Sequence, residues 1–383
     1  MLSVGDLPMR IRFQTLLLAG NPYSGFMLEE AGFRAAGQSE PADAPAFELV
    51  RTGKAALEAL GTGRYEMLLV DYVLPDMSGA ELSRKVKEAF PGLPAVVVTG
   101  NTDLGGPTEG REHASENLFV YYGAPSFWRA MVKLQEDERN APLLQHSGAL
   151  IILLVEDEPN FYSHFLPALY ERIRAAALEL LPEERRPTSI WGMSDNRPLV
   201  LLRRSFEEAC ESLFRYDRNM MALITDLCFP ISGERRGDAG LRLLYRARAL
   251  HGHLPVVVAS RELQAREAVL AADAKFLWKD SPRLLSELDN FLTAFCGFGP
   301  FVFRWPAGER YGLARTLQDL RDLIADVPDV VFEHHALHND FSTWLAVHGY
   351  QNLANRVRAM LITEPDIRGT LLRTLDDELQ LPR

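Results

Sequence analysis

Five residues with ionisable or hydroxyl side chains directly follow short apolar runs in the chain. In sequence order they are Glu156, Asp157, Asp226, Ser260 and Lys279. In a doubly wound parallel sheet, ligands bind at the carboxyl ends of the strands. We therefore expect these five side chains to meet at one edge of a sheet.

The chemistry that this set of residues suits is phosphoryl transfer. Several carboxylates cannot all stay ionised at close range unless a cation lies among them, and oxygen ligands with open water positions favour Mg²⁺. The metal and the Lys279 ammonium would together offset the charge of an incoming phosphoryl group. One carboxylate could then act as the nucleophile and form an aspartyl phosphate, to which the Ser260 hydroxyl would donate a hydrogen bond.

The apolar runs alternate with amphipathic stretches, and this alternation predicts an α/β fold whose parallel sheets carry helices on both faces. The strands predicted in the first third of the chain are Thr15–Ala19, Met67–Val70, Ala95–Thr99 and Leu118–Tyr122. The same order repeats in strands predicted at Leu150–Val155, Leu199–Leu202, Met221–Thr225, Val256–Ala259 and Lys275–Trp278. The sequence thus indicates a duplicated doubly wound unit, at 11–138 and 149–296.

Beyond Cys296 the pattern changes to amphipathic helical periods, including one over Val330–His348. This pattern predicts a small helical domain at 297–383. The stretch Glu136–Gly148 is polar at its start and ends in Ser-Gly, which favours a linker between the two units.

Four blocks of the second unit resemble the signature blocks of a two-component receiver domain. They are LLVEDEP (153–159), LITDLCFP (223–230), VVVAS (256–260) and AKFLWKD (274–280). The resemblance implies a flavodoxin-like fold and a phosphoacceptor at Asp226.

The resemblance also implies a role for the other residues at the strand ends. The Mg²⁺ ligands that it implies are Glu156, Asp157, Asp226 and the backbone carbonyl of Cys228. The phosphate-binding and switch residues that it implies are Ser260, Lys279 and Phe276. Residues 149–296 are therefore predicted to be a phosphoacceptor receiver domain.

This second unit departs from the family pattern at three places. Arg172–Pro198 holds extra sequence between the first helix and the second strand, and Asp280 follows the lysine where a proline is common. The loop Ile231–Asp238 is longer than the usual turn after the acceptor. Because that loop follows the acceptor strand, we expect it to alter phosphate access or lifetime.

The first unit resembles the same family in LLVDYVLPDMSGAEL (68–82) and AVVVTG (95–100), which place Asp71 at the acceptor position and Thr99 at the switch position. Its first strand, however, leads into Gly20-Asn21 in place of an acidic pair, and its fifth strand (LFVYYGAP, 118–125) lacks the lysine. Without these charges Asp71 has no means to offset phosphoryl charge. We therefore predict that 1–138 is a degenerate pseudo-receiver domain used in packing, dimerisation or partner docking.

The run HHALH (334–338) places His334 and His338 on one helical face, with His335 nearby. No acidic residue stands in a metalloenzyme spacing such as HExxH, so a helix surface that packs or binds a partner is favoured over a metal site. From 300 to 383 there are nine Arg, no Lys and twelve Asp plus Glu. This balance disfavours a nucleic-acid-binding output domain.

The 383-residue chain has 47% apolar and 24% charged residues and a formal net charge of −11. These values are typical of a soluble globular protein with two or three domains. Its three cysteines are far apart in sequence, which argues against a disulfide framework or zinc site and favours a reducing cytoplasm. We predict neither a signal peptide nor a membrane helix, because no apolar stretch approaches about 18 residues.

The sequence therefore predicts a cytoplasmic response regulator of a two-component phosphorelay, without a separate catalytic domain. The expected partners are a histidine kinase or phosphotransfer protein, an output protein that contacts the C-terminal helices, and a second copy of the chain. Nucleic acid and membrane are not expected as partners. One alternative is a phosphorylation-independent receiver scaffold whose loop 231–238 blocks the site. Another is a phosphatase-like enzyme, which would need a second Asp where this chain has Cys228.

Overall fold

A computed structural model describes residues 10–38, 41–105, 117–179, 189–191, 197–363 and 366–380. Contacts between Cα atoms divide the chain into two compact units. The first unit comprises Met1–Leu143, Glu156–Glu171 and Pro187–Met193, and the second comprises Leu144–Val155, Arg172–Arg186 and Ser194–Arg383. The predicted insertion Arg172–Pro198 lies partly outside the described residues.

The first unit contains a six-stranded sheet in which every paired strand runs parallel. Its strands are β1 (Thr15–Ala19), β2 (Arg34–Ala35), β3 (Ala46–Val50), β4 (Met67–Asp71), β5 (Ala95–Thr99) and β6 (Leu118–Val120). They lie in the order β2-β3-β1-β4-β5-β6. The central strands are buried along nearly their whole length, as expected when helices cover both faces of a parallel sheet.

Helices follow the strands of the first unit, and polar residues cap the free backbone N–H groups at the starts of the first three. These helices are α1 (Pro22–Glu30), α2 (Gly53–Leu60), α3 (Gly79–Ala89) and α4 (Ser126–Leu144). The side chains of Asn21, Thr52 and Ser78 accept hydrogen bonds from the first turns of α1, α2 and α3, respectively. Such caps stabilise a helix start by about 1 kcal/mol.

The stretch Glu136–Gly148, predicted to be a linker, lies mostly within α4, so that prediction is wrong as far as Leu144. Glu136, Asp137 and Asn140 of this stretch are buried in the first unit. The Asn140 side chain exchanges two hydrogen bonds with the backbone of Ile11, and Asp137 accepts one from the Tyr170 hydroxyl. Buried polar groups need such partners, and the sequence pattern alone does not reveal them.

The second unit contains a five-stranded parallel sheet and a small hairpin. Its strands are β7 (Ile151–Val155), β8 (Leu199–Arg203), β9 (Met220–Asp226), β10 (Phe229–Ile231), β11 (Glu234–Arg236), β12 (Val256–Ser260) and β13 (Lys275–Trp278). The parallel strands lie in the order β13-β12-β9-β7-β8, and β10 pairs antiparallel with β11. The hairpin occupies part of the loop Ile231–Asp238 that the sequence marks as unusually long.

Five helices follow the strands of this second region. They are α5 (Pro159–Glu179), α6 (Phe206–Arg215), α7 (Ala239–Leu250), α8 (Arg266–Ala271) and α9 (Leu284–Phe295). Residues up to Glu171 of α5 belong to the first unit, where the Tyr162 hydroxyl donates to the carbonyl of Leu118 and Val120 N–H donates to Ser163 Oγ at 2.9 Å. The prediction of parallel α/β sheets followed by helices is confirmed at this level.

The C-terminal region holds a hairpin as well as helices. Its elements are β14 (Phe301–Arg304), β15 (Arg310–Ala314), α10 (Leu317–Asp326), α11 (Asp329–Leu337), α12 (Asp340–Val347), α13 (Gln351–Thr363) and α14 (Ile367–Gln380). The single helix predicted over Val330–His348 is wrong, because Asn339 adopts a left-handed conformation (φ 58°) that separates α11 from α12. In the described part of the chain, no helix is both long and apolar enough to span a membrane.

Candidate functional site

The second sheet brings polar side chains to the carboxyl ends of its strands. Val155, the last residue of β7, pairs with Thr225, and Asp226 at the end of β9 pairs with Ala259. Ser260 ends β12, and its carbonyl accepts a hydrogen bond at 2.9 Å from the backbone N–H of Lys279. Glu156 and Asp157 follow β7 directly. All five side chains predicted to meet at this edge are buried, and the pairing of the strands explains why they converge.

Asp226 and Lys279 form an ion pair in which Nζ lies 2.8 Å from Oδ1. The side chain of Lys279 is 3% exposed and that of Asp226 is 6% exposed. The backbone N–H of Leu227 also donates to Oδ1, at 2.7 Å. The two donors therefore fix the rotation of this carboxylate within a water-poor site, where charge interactions are stronger than in bulk water.

Three carboxylates lie close enough to share a metal ion. One oxygen each from Glu156, Asp157 and Asp226 lies within 4.8 Å of the others, and all three residues are buried. Oxygen donors of this kind suit Mg²⁺, and a cation is what allows clustered carboxylates to stay ionised together. The donor set therefore fits the metal that the sequence implies.

Cys228, whose carbonyl completes the implied ligand set, is engaged by a side chain of the inserted hairpin. Arg235 on β11 donates from a guanidinium nitrogen to the carbonyl oxygen of Cys228 at 2.7 Å. Arg235 was not predicted to be a site residue from the sequence. The feature that could have indicated it is the basic pair Arg235-Arg236 in the loop that follows Asp226. Only the three-dimensional structure shows which of the two arginines reaches the carbonyl of Cys228.

Gly240 lets helix α7 approach the acceptor strand closely. A Cβ atom at this position would lie 2.2 Å from the carbonyl oxygen of Asp226. The backbone N–H of Gly240 donates to the carbonyl of Leu227 at 2.9 Å. A side chain here would push α7 away from the end of β9, so glycine is required for the local geometry of the site.

The two remaining predicted residues of this unit lie on β12 and β13. Ser260 Oγ accepts a hydrogen bond from the backbone N–H of Glu262 at 3.0 Å, which holds its hydroxyl oxygen at the strand end. Phe276 is half-buried and lines a cavity of 670 Å³ between β13 and α9. Trp278 and Phe295 line the same cavity.

In the first sheet, Asp71 occupies the end of β4 and is surrounded by neutral donors. Its carboxylate accepts hydrogen bonds from the backbone N–H and the side-chain amide of Asn21, at 2.9 and 2.8 Å, and from Ser24 Oγ at 2.8 Å. Burial raises the pKa of Asp71, and the hydrogen bonds from Asn21 and Ser24 offset only part of that rise. Asn21 and Ser24 thus donate hydrogen bonds to Asp71 without supplying a positive charge. Neither residue was predicted to be a donor from the sequence.

Tyr121 stands in the first sheet where Lys279 stands in the second. Its backbone N–H donates to the carbonyl of Thr99 at 2.8 Å, as that of Lys279 does to Ser260. Thr99 is buried, and its Oγ1 accepts from Asn101 N–H at 3.0 Å. The ammonium that could offset phosphoryl charge is therefore replaced by a phenol ring.

The histidine run predicted to be a packing surface contributes to local structure. His335 is buried, with Nδ1 2.7 Å from Asp340 Oδ2 and Nε2 accepting from the backbone N–H of Arg304. His338 Nδ1 lies 2.6 Å from the carbonyl of His334. Across the described ranges, the carboxylate trio described above is the one group of ligand residues close enough for a metal ion.

The model of the response regulator receiver domain matches residues 40–113, which include Asp71 and Thr99. Curated relatives match short segments of the chain, and LuxO and ArcB are two of them. LuxO, a regulatory protein of Vibrio cholerae, is 31% identical over 72 residues, which cover 19% of this chain and 16% of that protein. ArcB, the aerobic respiration control sensor protein of Escherichia coli K12, is 40% identical over 57 residues, covering 14% of this chain and 7% of ArcB.

Solved structures with some likeness include a two-component response regulator/GGDEF domain protein and a receiver domain. The first has 16% identity and a TM-score of 0.30, and covers 74% of this chain and 99% of that one. The second, from a Pseudomonas aeruginosa sensor histidine kinase with magnesium in its active-site cleft, has 19% identity and a TM-score of 0.25, and covers 33% and 98%.

The family match confirms the resemblance that the sequence shows at 68–82 and 95–100. The chain spans less than a fifth of the length of the curated relatives, so the match concerns their shared segment only. Within the chain, the match to the response regulator receiver domain family is therefore at residues 40–113.

Proposed function

We propose that this protein is a response regulator that accepts a phosphoryl group on Asp226 and signals through protein–protein contacts. The buried ion pair between Lys279 and Asp226, beside two further carboxylates, is the observation that carries the proposal. Glu156, Asp157, Asp226 and the carbonyl of Cys228 would hold Mg²⁺. The bound metal would offset negative charge on the incoming phosphoryl group.

The residues of the chain then have distinct tasks in the transfer. An oxygen of Asp226 forms a bond to phosphorus as the bond from phosphorus to the donor breaks, and the donor leaves with the electrons of that bond. Lys279 turns from Asp226 toward the new phosphate and pairs with its charge. The Ser260 hydroxyl donates a hydrogen bond to a phosphate oxygen. Phe276, at the cavity between β13 and α9, reports the change to the surface.

The first sheet would serve as a degenerate receiver, because Asp71 has neutral donors and Tyr121 stands in the lysine position. In this proposal both sheets belong to tandem receiver domains. The protein would be cytoplasmic, and its phosphodonor would be a histidine kinase or phosphotransfer protein. The C-terminal helices or a second copy of the chain would take part in the output. The chain carries no separate enzymatic activity in this proposal.

The intact mass of the protein after incubation with acetyl phosphate and Mg²⁺ tests this proposal. Wild type, Asp226→Asn and Asp71→Asn are compared. We expect one added phosphoryl group on wild type and Asp71→Asn, and none on Asp226→Asn. A gain that survives Asp226→Asn but is lost in Asp71→Asn would move the acceptor to the first sheet. No gain in any protein would favour a phosphorylation-independent scaffold.

A further inference from the structure

The hairpin β10–β11 is an addition to the acceptor loop of the second sheet. In each sheet a glycine lies at the start of the helix that follows the aspartate-ending strand. A Cβ atom added at that glycine would clash with the carbonyl oxygen of the aspartate, at Gly79 with Asp71 and at Gly240 with Asp226. These pairs mark equivalent points of the two loops. The interval is eight positions in the first sheet and fourteen in the second, and the hairpin lies within the longer one.

This hairpin is fixed in place by its turn and its neighbours. Ser232 and Gly233 both have positive φ, 53° and 83°, which is the two-residue turn that matches the twist of a hairpin. Phe229 of β10 is completely buried. The backbone N–H of Ser232 donates at 3.0 Å to Glu207 on α6. The hairpin is therefore a defined structural element beside the site.

Arg235 and Arg236 are neighbours on β11, so their side chains lie on opposite faces of the hairpin, and they differ in burial. Arg235 is half-buried and reaches back to the carbonyl of Cys228. Arg236 is exposed and pairs with Glu234 at 2.9 Å. Two chemically identical side chains thus differ only in which face of the hairpin they occupy, which makes Arg236 a matched control for Arg235.

We propose that Arg235 competes with Mg²⁺ for the carbonyl of Cys228 and so sets the metal affinity of the site. This inference rests on the proposed function, because it takes the metal and its ligands from there. A Mg²⁺ ligand must point a lone pair at the ion from about 2.0–2.1 Å in near-octahedral geometry. The guanidinium nitrogen lies 2.7 Å from the same oxygen, so it uses one of the lone pairs of that carbonyl and would place a like charge next to a bound ion.

Arg235 and the metal ion are then alternative cations for one acidic site. Without metal, the guanidinium holds the Cys228 carbonyl and contributes positive charge near the carboxylates. Metal binding requires Arg235 to leave, so the hairpin takes two positions that correspond to the two states. A partner that pulls the hairpin outward would therefore tighten Mg²⁺ binding. Because coupling between two binding events is reciprocal, Mg²⁺ would tighten the binding of that partner by the same factor.

Isothermal titration calorimetry with Mg²⁺ tests this inference on the full chain. The proteins are wild type, Arg235→Gln, Arg235→Lys and the control Arg236→Gln. We expect Arg235→Gln to bind Mg²⁺ about tenfold more tightly than wild type, as expected for loss of a charged hydrogen bond. Arg235→Lys, which keeps the charge but loses the planar fork, should lie between the two, and Arg236→Gln should match wild type.

The outcomes separate this inference from the proposed function. Equal Mg²⁺ affinity in wild type and Arg235→Gln, or weaker affinity in the variant, would overturn the competition while leaving the acceptor site intact. Absence of Mg²⁺ binding in every protein would overturn both the competition and the metal-dependent function. Should Arg235→Gln fail to fold, as judged by circular dichroism, the comparison of Arg235→Lys with wild type decides, and equal affinities there would refute the competition.

Discussion

Lys279 and Asp226 form a buried ion pair in which Nζ lies 2.8 Å from Oδ1. Removing one partner of such a pair leaves an uncompensated charge in the interior, which costs about 3–5 kcal/mol. We therefore expect Lys279→Met to lower the free energy of unfolding by about that amount. Asp226→Asn combined with Lys279→Met should be less destabilising than the sum of the single changes, because the residues are in contact.

Urea unfolding of the wild type, both single variants and the double variant measures this coupling. Lys275→Met is the control, since Lys275 is exposed on the same strand and its Nζ lies over the ring of Phe295 at 4.7 Å. Losing such an exposed contact should cost less than about 1 kcal/mol. Strictly additive effects of the two site variants would mean that the ion pair contributes no coupling energy.

Gly20 leaves the space that Asp71 occupies in the first sheet. A Cβ at Gly20 would lie 2.5 Å from Asp71 Oδ2, so Gly20→Ala must displace the carboxylate from its donors Asn21 and Ser24. We expect a loss of about 1–3 kcal/mol in the free energy of unfolding, as for other overpacked sites. The measurement is chemical denaturation. Gly100→Ala is the control because its Cβ would meet no atom within 4 Å, and equal losses in the two variants would refute the steric argument.

Gly148 has a second reason to be glycine beyond its backbone conformation. Its φ is 77°, and a Cβ there would lie 2.4 Å from the side-chain oxygen of Asn355 on α13. Gly63 has a similar φ of 70° but open space around it. We therefore expect Gly148→Ala to lower the melting temperature more than Gly63→Ala does. The difference isolates the clash with Asn355, whose amide donates to the carbonyl of Ser147 at 3.0 Å, and similar shifts would exclude it.

His348 should make the stability of the protein depend on pH. Burial lowers the pKa of His348, with smaller opposing effects from the Trp344 carbonyl and Glu179. The folded state therefore binds fewer protons than the unfolded state below the unfolded pKa of about 6.5. The stability gained by burying neutral His348 is therefore fully present above a pH of about 6.5. It is lost as the pH falls through that value toward the lower pKa of the folded state.

Melting temperatures at pH 7.5 and pH 5.5 test this behaviour. Wild type should lose more stability between the two conditions than His348→Gln does, because the variant has no imidazole to protonate. The exposed His146 provides the control, and His146→Gln should keep the wild-type pH dependence. The same pH dependence in His348→Gln and wild type would contradict the assignment.

The sequence predicts those elements whose pattern is set by burial on both faces. The strands that carry Asp226 and Ser260 were predicted to within one residue, because they are continuous apolar runs. β3 was missed, since AFELV (46–50) mixes apolar and charged residues and is only half-buried. β14 was missed because its aromatic run is short and bordered by Gly and Pro, and residues 297–383 were predicted to be helical.

The candidate site divides in a similar way. Residues at strand ends could be placed together from topology alone, since the carboxyl ends of parallel strands share an edge. Arg235 could not be placed, because its direction depends on the register of the β10–β11 hairpin and on the positive φ of Ser232 and Gly233. Contacts that depend on one turn conformation leave no periodic signal in the sequence.

Among the described strands, β6 is an edge strand of the six-stranded sheet and pairs with β5 alone. Two residues of α5 satisfy backbone groups of this edge strand. Ser163 Oγ accepts a hydrogen bond from the N–H of Val120, and the Tyr162 hydroxyl donates one to the carbonyl of Leu118. Edge strands with unpaired backbone groups can pair with strands of other chains, which promotes aggregation. Residues Glu156–Glu171 therefore cover the edge strand β6 of the first unit. A fragment that ends at residue 148 would leave β6 uncovered and should self-associate.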